Sequence, residues 1–356
     1  MIKILERYIA KTILQAIAVA GFIIVSILFI LSLMAEAKSV GVGDYGFLQS
    51  VIYVLLRLPS ELYHFLPLLT LIGCIVGLSI LSSHRELAVM RTAGFSVNRI
   101  IFSVLSASLL LILVISVMGE WIGPSLSYKA IMRKENAQHG SEAVTTTAGT
   151  WLHIDNNFIH VKSIVDKYYV NGVTRYQFDR NHKLQAVYYA NTLVMQNREW
   201  LLKDVVKTTF YPDRTKSETY ATLPFDLRFN TNLLNAGVLQ PSELSLPKLA
   251  KFSRYLEQNG LQSSGYRFNF WQRLFQPFAS LVMILLAIPF VLSAFNTASM
   301  GWRIVMGILT GFAFFMLNEL LGQLSIVYQI SPFIAALLPP LVFAVLGVGL
   351  LRRLIA

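Results

Sequence analysis

The chain has 356 residues, of which 55% are hydrophobic and 14% charged, and it carries a formal charge of +11. This composition fits an integral membrane protein, and the absence of a dense basic run in any polar segment argues against nucleic-acid binding. The single cysteine, Cys74, lies in an apolar stretch. That excludes an internal disulfide, and it excludes cysteine-ligated metal or thiol chemistry in the polar part of the chain.

A helix needs about 20 apolar residues to cross a bilayer. Uncharged stretches of that order open the chain at 12–35, 65–83 and 100–119, and others close it within 274–302, 304–318 and 320–351. Between them lies a polar block, 124–266. The pattern predicts six transmembrane helices in a three-plus-three plan, with one inserted domain. Lys3, Arg7 and Lys11 precede the first span, and Ala35-Glu36-Ala37 has the look of a signal cleavage site. The intervening apolar run is longer than a signal core of roughly 7–15 residues, so it reads as a retained helix.

The loop 83–99 predicts a helix of its own. Ser83-His84-Arg85-Glu86 matches a capping box with Ser83 as N-cap. Leu87, Met90 and Ala88 or Ala93 supply an apolar side, and Gly94 a stop. A helix of about three turns is expected there. Lying crosswise at the membrane surface, it offers a grip to a soluble partner.

The polar block predicts β structure. Thr150-Trp151-Leu152-His153-Ile154 alternates, Asp155-Asn156-Asn157 turns, and Phe158-Ile159-His160-Val161 resumes. Asn171-Gly172 is a hairpin signal before 173–178. A turn at 179–183 and strand regions at 184–194, 199–211 and 219–229 complete a pattern of short strands, which suggests a sandwich or open barrel. Helical spacing follows over 246–259, after Pro241 and Pro247 and with Gly260 as its stop. The expected division is 1–123 (spans one to three, with the crosswise helix at 83–94), 124–245 (β domain), 246–269 (connecting helix) and 270–356 (spans four to six).

Charge sets the expected orientation. Arg85, Arg91, Arg99, Arg303, Arg352 and Arg353 lie on the same side as the basic start, whereas the opposite loops hold only Lys38 and Arg57. The positive-inside rule then places both termini in the cytoplasm and the β domain on the far side. Near that far boundary, Lys38, Lys129, Arg133 and Lys134 gather around the span ends. Such residues often just terminate helices, but a cationic rim at a membrane is also what an amphipathic anionic lipid needs.

Several chemistries are missing. There is no G-x-x-x-x-G-K-[ST], so the chain cannot cradle nucleotide phosphates in a P-loop, and there is no H-E-x-x-H and no G-x-S-x-G. The histidines are scattered; His153 and His160 can face each other across a hairpin, although strand polar-face residues are the simpler reading. Glu120 and Glu319 are acids near span ends. Ionisable groups inside spans are functional by default, yet interfacial helix-end residues explain these two more simply.

Taken together, the segments resemble the lipopolysaccharide export permeases, the LptF/LptG family, and its LptG type in particular. The likeness runs through Leu5-Glu6-Arg7-Tyr8-Ile9-Ala10-Lys11-Thr12, Glu86-Leu87-Ala88-Val89-Met90-Arg91-Thr92-Ala93-Gly94-Phe95, Gly119-Glu120-Trp121-Ile122-Gly123-Pro124, Trp271 with Phe275-Gln276-Pro277, and Ile334-Ala335-Ala336-Leu337-Leu338-Pro339.

The resemblance implies six transmembrane helices with a periplasmic β-jellyroll, in a Gram-negative inner membrane. It implies an ABC-type exporter built with an LptF-like second permease, two copies of an LptB-like ATPase, a single-span LptC-like protein and an LptA-like periplasmic bridge. Lipopolysaccharide is the implied substrate. The chain itself binds no cofactor on this reading, and ATP and Mg are used by the partner ATPase.

Carried over by residue, Glu86 matches the coupling-helix glutamate, with Arg85, Leu87, Met90 and Arg91 beside it. Lys38 and Lys134 match basic positions on the rim of the lipid cavity, with Lys129 and Arg133 as neighbours. Ser32 and Ile131 depart from the basic residues that other members carry. Two alternatives remain. One is a mechanical transducer, driven by an ATPase and moving no lipid. The other is a membrane-embedded lipid enzyme, for which Glu120 and Glu319 lack a convincing partner.

Overall fold

The computed structural model describes residues 2–139, 150–225, 240–292 and 300–355, with short interruptions at 155, 167–168, 180–182, 197–198 and 259–260. Helix α1 (Ile2–Glu36) is followed by α2 (Phe47–His64), α3 (Leu66–Ser83), a short α4 (Glu86–Thr92) and α5 (Val97–Val117). A π-helical turn (Met118–Ile122) joins α5 to α6 (Gly123–His139). After the β domain come α7 (Leu246–Gln258), α8 (Ser264–Leu292), α9 (Met300–Val327) and α10 (Pro332–Ile355). Six of these segments are long and apolar enough to cross a membrane. The six-span plan with an inserted β domain is therefore present.

The helix boundaries differ from the sequence reading in three places. The uncharged stretches that meet at Glu319 do not mark a helix end: the helix runs through Glu319, because one acid does not stop a helix. The chain turns at 328–331 instead, where Gln329 adopts a φ of 53° and Pro332 opens α10. Proline suits a first helical position, since its missing N–H is unpaired there anyway. The segment after the first span, read as a loop, contains the 18-residue α2. The third span runs on through α6, past Pro124.

The middle of the bundle is α3 and α8, whose spans are 67% and 61% buried, against 11% for α1 and 22% for α9. Helix α3 contacts α1, α9 and α8, and α8 also contacts α10. Lipid tails are as apolar as leucine, so such helices associate through close packing at small residues. Gly73 and Gly77 of α3 admit α1: a Cβ at Gly73 would lie 2.6 Å from the Ile17 Cα.

The β domain contains β1 (Thr150–Ile154), β2 (Asn157–Asp166), β3 (Tyr169–Phe178), β4 (Leu184–Gln196), β5 (Glu199–Phe210) and β6 (Thr215–Pro224). They form one six-stranded antiparallel sheet in sequence order. The Asn171-Gly172 hairpin expectation fails. Both residues lie inside β3, and β2 pairs with β3 as far as Asp166 opposite Tyr169. Gly172 instead uses its positive φ of 63° within the strand.

Strict alternation slips along that row of the sheet. Val170 and Val173, Ala190 and Leu193, and Leu202 and Val205 are all buried at a spacing of three. Asp204 in the neighbouring β5 has a φ of 53°. Such local irregularity bends strands, and it lets both halves of the sheet contribute to one core with Trp200 and Phe225. The turn expected at 179–183 is closed by Lys183 N–H donating to Asp179 Oδ1 (2.8 Å). The stop assigned to Gly260 and the far end of the strand region 219–229 lie outside the described residues.

Gly73→Ala is expected to cost about 1–3 kcal/mol through overpacking against α1. The check is the unfolding midpoint of the detergent-solubilised protein. Gly349→Ala, where an added Cβ meets nothing within 4 Å, should leave that midpoint in place.

Candidate functional site

At the membrane end nearest the β domain, charged residues from distant segments meet. Lys134 of α6 pairs with Glu36 at the end of α1 (2.5 Å). The Lys134 ammonium also lies over the rings of Tyr45 and Tyr53, at 5.8 and 5.1 Å. Tyr45 is buried and donates its hydroxyl to Glu36 (3.1 Å). Burial, and then the Glu36 carboxylate, push the Tyr45 hydroxyl well above the usual tyrosine range, so it remains a donor. Lys134 and Arg133 line a cavity of about 260 Å³ with Gln49, Ile52 and Tyr53. Lys38, Lys129 and Arg133 are exposed, and among the described residues they form no ion pair. The four predicted rim cations thus divide: Lys134 is neutralised from within, and the other three present charge outward.

A second cluster binds the two halves of the chain to the strap that leaves the β domain. Arg273 of α8 is only 7% exposed. It donates to the carbonyls of Leu244 and Gly119 and pairs with Glu120 (3.5 Å). Glu120 in turn accepts the Leu246 backbone N–H (2.5 Å). Arg57 of α2 adds a contact to buried Glu243 in the same strap (2.5 Å). The π turn explains how Glu120 reaches this position. Pro124 cannot supply an N–H to the preceding turn, and a π-bulge relieves that mismatch while re-aiming nearby side chains. Likewise, Gln276 donates to the Tyr63 and His64 carbonyls (3.0 and 2.9 Å), which lie just before Pro67 at the start of α3. Arg273, Glu36, Arg57 and Glu243 were not singled out from the sequence. Their only signal there was charge close to apolar spans. Glu120 has a structural role at a span end, through Arg273 and the Leu246 N–H, and Glu319 is exposed in α9.

Helix α4 lies at the opposite end. It has seven residues, so the expected three turns shrink to two. The capping box is not formed. Ser83 ends α3 and donates back to the Ser79 carbonyl (2.7 Å), and the residue before α4, Arg85, takes a left-handed φ of 60° with no side-chain cap. The stop is as expected. Gly94 has a φ of +84°, and the Phe95 and Gly94 N–H groups bond to the Met90 and Arg91 carbonyls. That is the Schellman ending, with Phe95 buried.

Leu87 and Met90 are buried in the bundle core, so of the predicted coupling residues these two anchor α4 and do not face outward. Arg85, Arg91 and Val89 form the exposed side, Val89 being 63% exposed. Glu86 Oε1 accepts from the Tyr8 hydroxyl (3.2 Å), while Oε2 is buried and lacks a donor.

The chain matches the family model described as "Lipopolysaccharide export system permease LptF/LptG" over residues 7–353. It is 31% identical to the lipopolysaccharide export system permease protein LptG of Escherichia coli K12, over 98% of both chains. It is 32% identical to the protein of that name from Haemophilus influenzae, over 99% of both. The chain belongs to the LptF/LptG permease family. Membership and six apolar helices fit a multi-pass inner-membrane protein, and permease subunits of this kind fit a non-catalytic role.

The inserted domain of this LptF/LptG permease sets several of its aromatics at the surface. Trp151 is 57% exposed and stacks on Tyr176 (5.8 Å). Phe158 is partly exposed, and Tyr188 lies over Arg175. The register sets Trp151, not His153, opposite His160. Among the described residues, no group of histidines, cysteines and acids could hold a metal ion.

Removing one partner from a buried ion pair typically costs about 3–5 kcal/mol, because the other charge is stranded. Arg273→Met should therefore lower the unfolding midpoint strongly and reduce the yield of folded protein. Arg57→Met, at a site nearly a third exposed, should cost less. Equal losses for the two would contradict the central role given to Arg273.

Proposed function

We propose that this chain is a permease subunit of an ABC-type lipopolysaccharide exporter that draws the lipid from the outer leaflet of the inner membrane. The observation that carries this reading is the polarity of the molecule. One end presents a short exposed helix with an incompletely satisfied carboxylate; the other presents unpaired cations beside exposed apolar helices.

On this reading α4 is the coupling helix on the cytoplasmic side. Leu87 and Met90 hold it to the bundle, and Glu86, Arg85 and Arg91 meet one of two LptB-like ATPases, which use ATP and Mg. The exposed faces of α1 and α9 enclose acyl chains together with an LptF-like permease. Lys38, Lys129 and Arg133 receive the phosphates, as point charges or, for Arg133, as a bidentate fork. Lys134 joins them when a phosphate displaces Glu36. The β domain lies in the periplasm and passes the lipid on to an LptA-like bridge, with a single-span LptC-like protein alongside.

The test is copurification from membranes on a tag fused to this chain, with mass spectrometry of protein and lipid. Recovery of an ATPase, a second six-span permease and lipopolysaccharide is expected. An ATPase without that lipid would favour a mechanical transducer. Glu86→Lys should insert normally yet abolish export, and a photoreactive group at Lys38 should capture lipopolysaccharide. Normal export by well-expressed Glu86→Lys protein would overturn the coupling assignment.

A further inference from the structure

The Glu86 carboxylate is held on one side only. Oε1 accepts the Tyr8 hydroxyl at 3.2 Å, and His84 Nδ1 stands 4.0 Å away. Oε2 is shielded from solvent without a hydrogen-bond partner. A carboxylate accepts several donors, and a buried oxygen with none is destabilising until one arrives. Glu86 is thus preoriented through Oε1 and still short of a donor at Oε2.

The donor at Oε1 comes from α1. Apolar anchors join α4 to the bundle core at Leu87 and Met90, and the Tyr8 hydroxyl bridges 78 positions of sequence from α1 to Glu86. Tyr8 is 45% exposed and sits near the start of a helix whose opposite end is Glu36, paired with Lys134. Between those ends Phe22, Ile27 and Met34 are exposed. One unbroken helix therefore runs from the Glu86 carboxylate to the cationic rim.

We propose that Tyr8 is a positioning residue for coupling: its hydroxyl fixes the Glu86 carboxylate, so that a cationic group of the ATPase engaging Glu86 displaces α1 together with α4. This rests on the reading that Glu86 meets the ATPase. A hydrogen bond to the carboxylate adds a direction that the apolar contacts of Leu87 and Met90 lack.

The experiment uses the full complex in proteoliposomes and compares Tyr8→Phe, Glu86→Gln and the double variant. ATP hydrolysis and lipopolysaccharide release are both recorded. Tyr8→Phe keeps the ring and loses one hydrogen bond. It should leave complex yield and ATP hydrolysis near normal but lower lipid released per ATP by about fivefold, the scale of one hydrogen bond. Added to Glu86→Gln it should cause little further loss, since both changes weaken the same contact.

Unchanged lipid release per ATP in Tyr8→Phe, with Glu86→Gln defective, would overturn the role of Tyr8 and leave the Glu86 reading intact. Fully additive losses would also overturn it. Normal export by Glu86→Gln would remove both. A spin label at Ile27 on the exposed face of α1 supplies a second readout: its ATP-dependent movement should vanish in Tyr8→Phe, and persistence of that movement would count against the proposal.

Discussion

The buried contact between Arg273 and Glu120 is the constraint on which the rest of the structure depends. An arginine has five donors and stays charged, so placing it at the edge of a membrane bundle demands acceptors from every side. Here the acceptors are the Gly119 carbonyl of the third span and the Leu244 carbonyl of the strap after the β domain, and Glu120 of the third span adds an ion pair at 3.5 Å. The helix that carries Arg273 is one of the two central helices. One side chain thereby decides where the two halves of the chain meet and where the inserted domain leaves them.

The peripheral helices follow from that centre. With α3 and α8 at the centre of the bundle, α1 and α9 are left largely uncovered, and along their lengths they expose many large apolar residues. An uncovered apolar helix suits a lipid or a second subunit equally well on physical grounds. What biases the reading towards a lipid-handling surface is the charge at its end. The Glu36–Lys134 pair organises the rim and consumes one cation, while Lys38, Lys129 and Arg133 stay outside it.

Much of this architecture was legible in the sequence, for reasons that differ by element. The spans were visible because hydropathy is a local property. Gly94 was visible because a left-handed ending favours glycine. Ser83 misled because its hydroxyl has two competing uses, and bonding back to the preceding helix carbonyl prevailed over capping the next one. Asn171-Gly172 misled because glycine's positive φ serves a strand irregularity as well as a turn. Helix α2 was missed: it carries a charge at Arg57 and a proline at Pro59, so neither a span nor a standard helix was evident.

The candidate site was legible only as an inventory of residues. Glu86, Arg85 and Arg91 were carried over from the family resemblance, and Lys38, Lys129, Arg133 and Lys134 were noted as charge beside spans. That Leu87 and Met90 point inward, that Lys134 is paired with Glu36, and that Tyr8 reaches Glu86 across 78 positions depend on which surfaces meet. Composition and periodicity established the spans and the inserted β domain, since each is carried by neighbouring residues. The pairing of charges was settled only by folding, because Coulomb and hydrogen-bond energies depend on distances between segments that the order of residues does not contain.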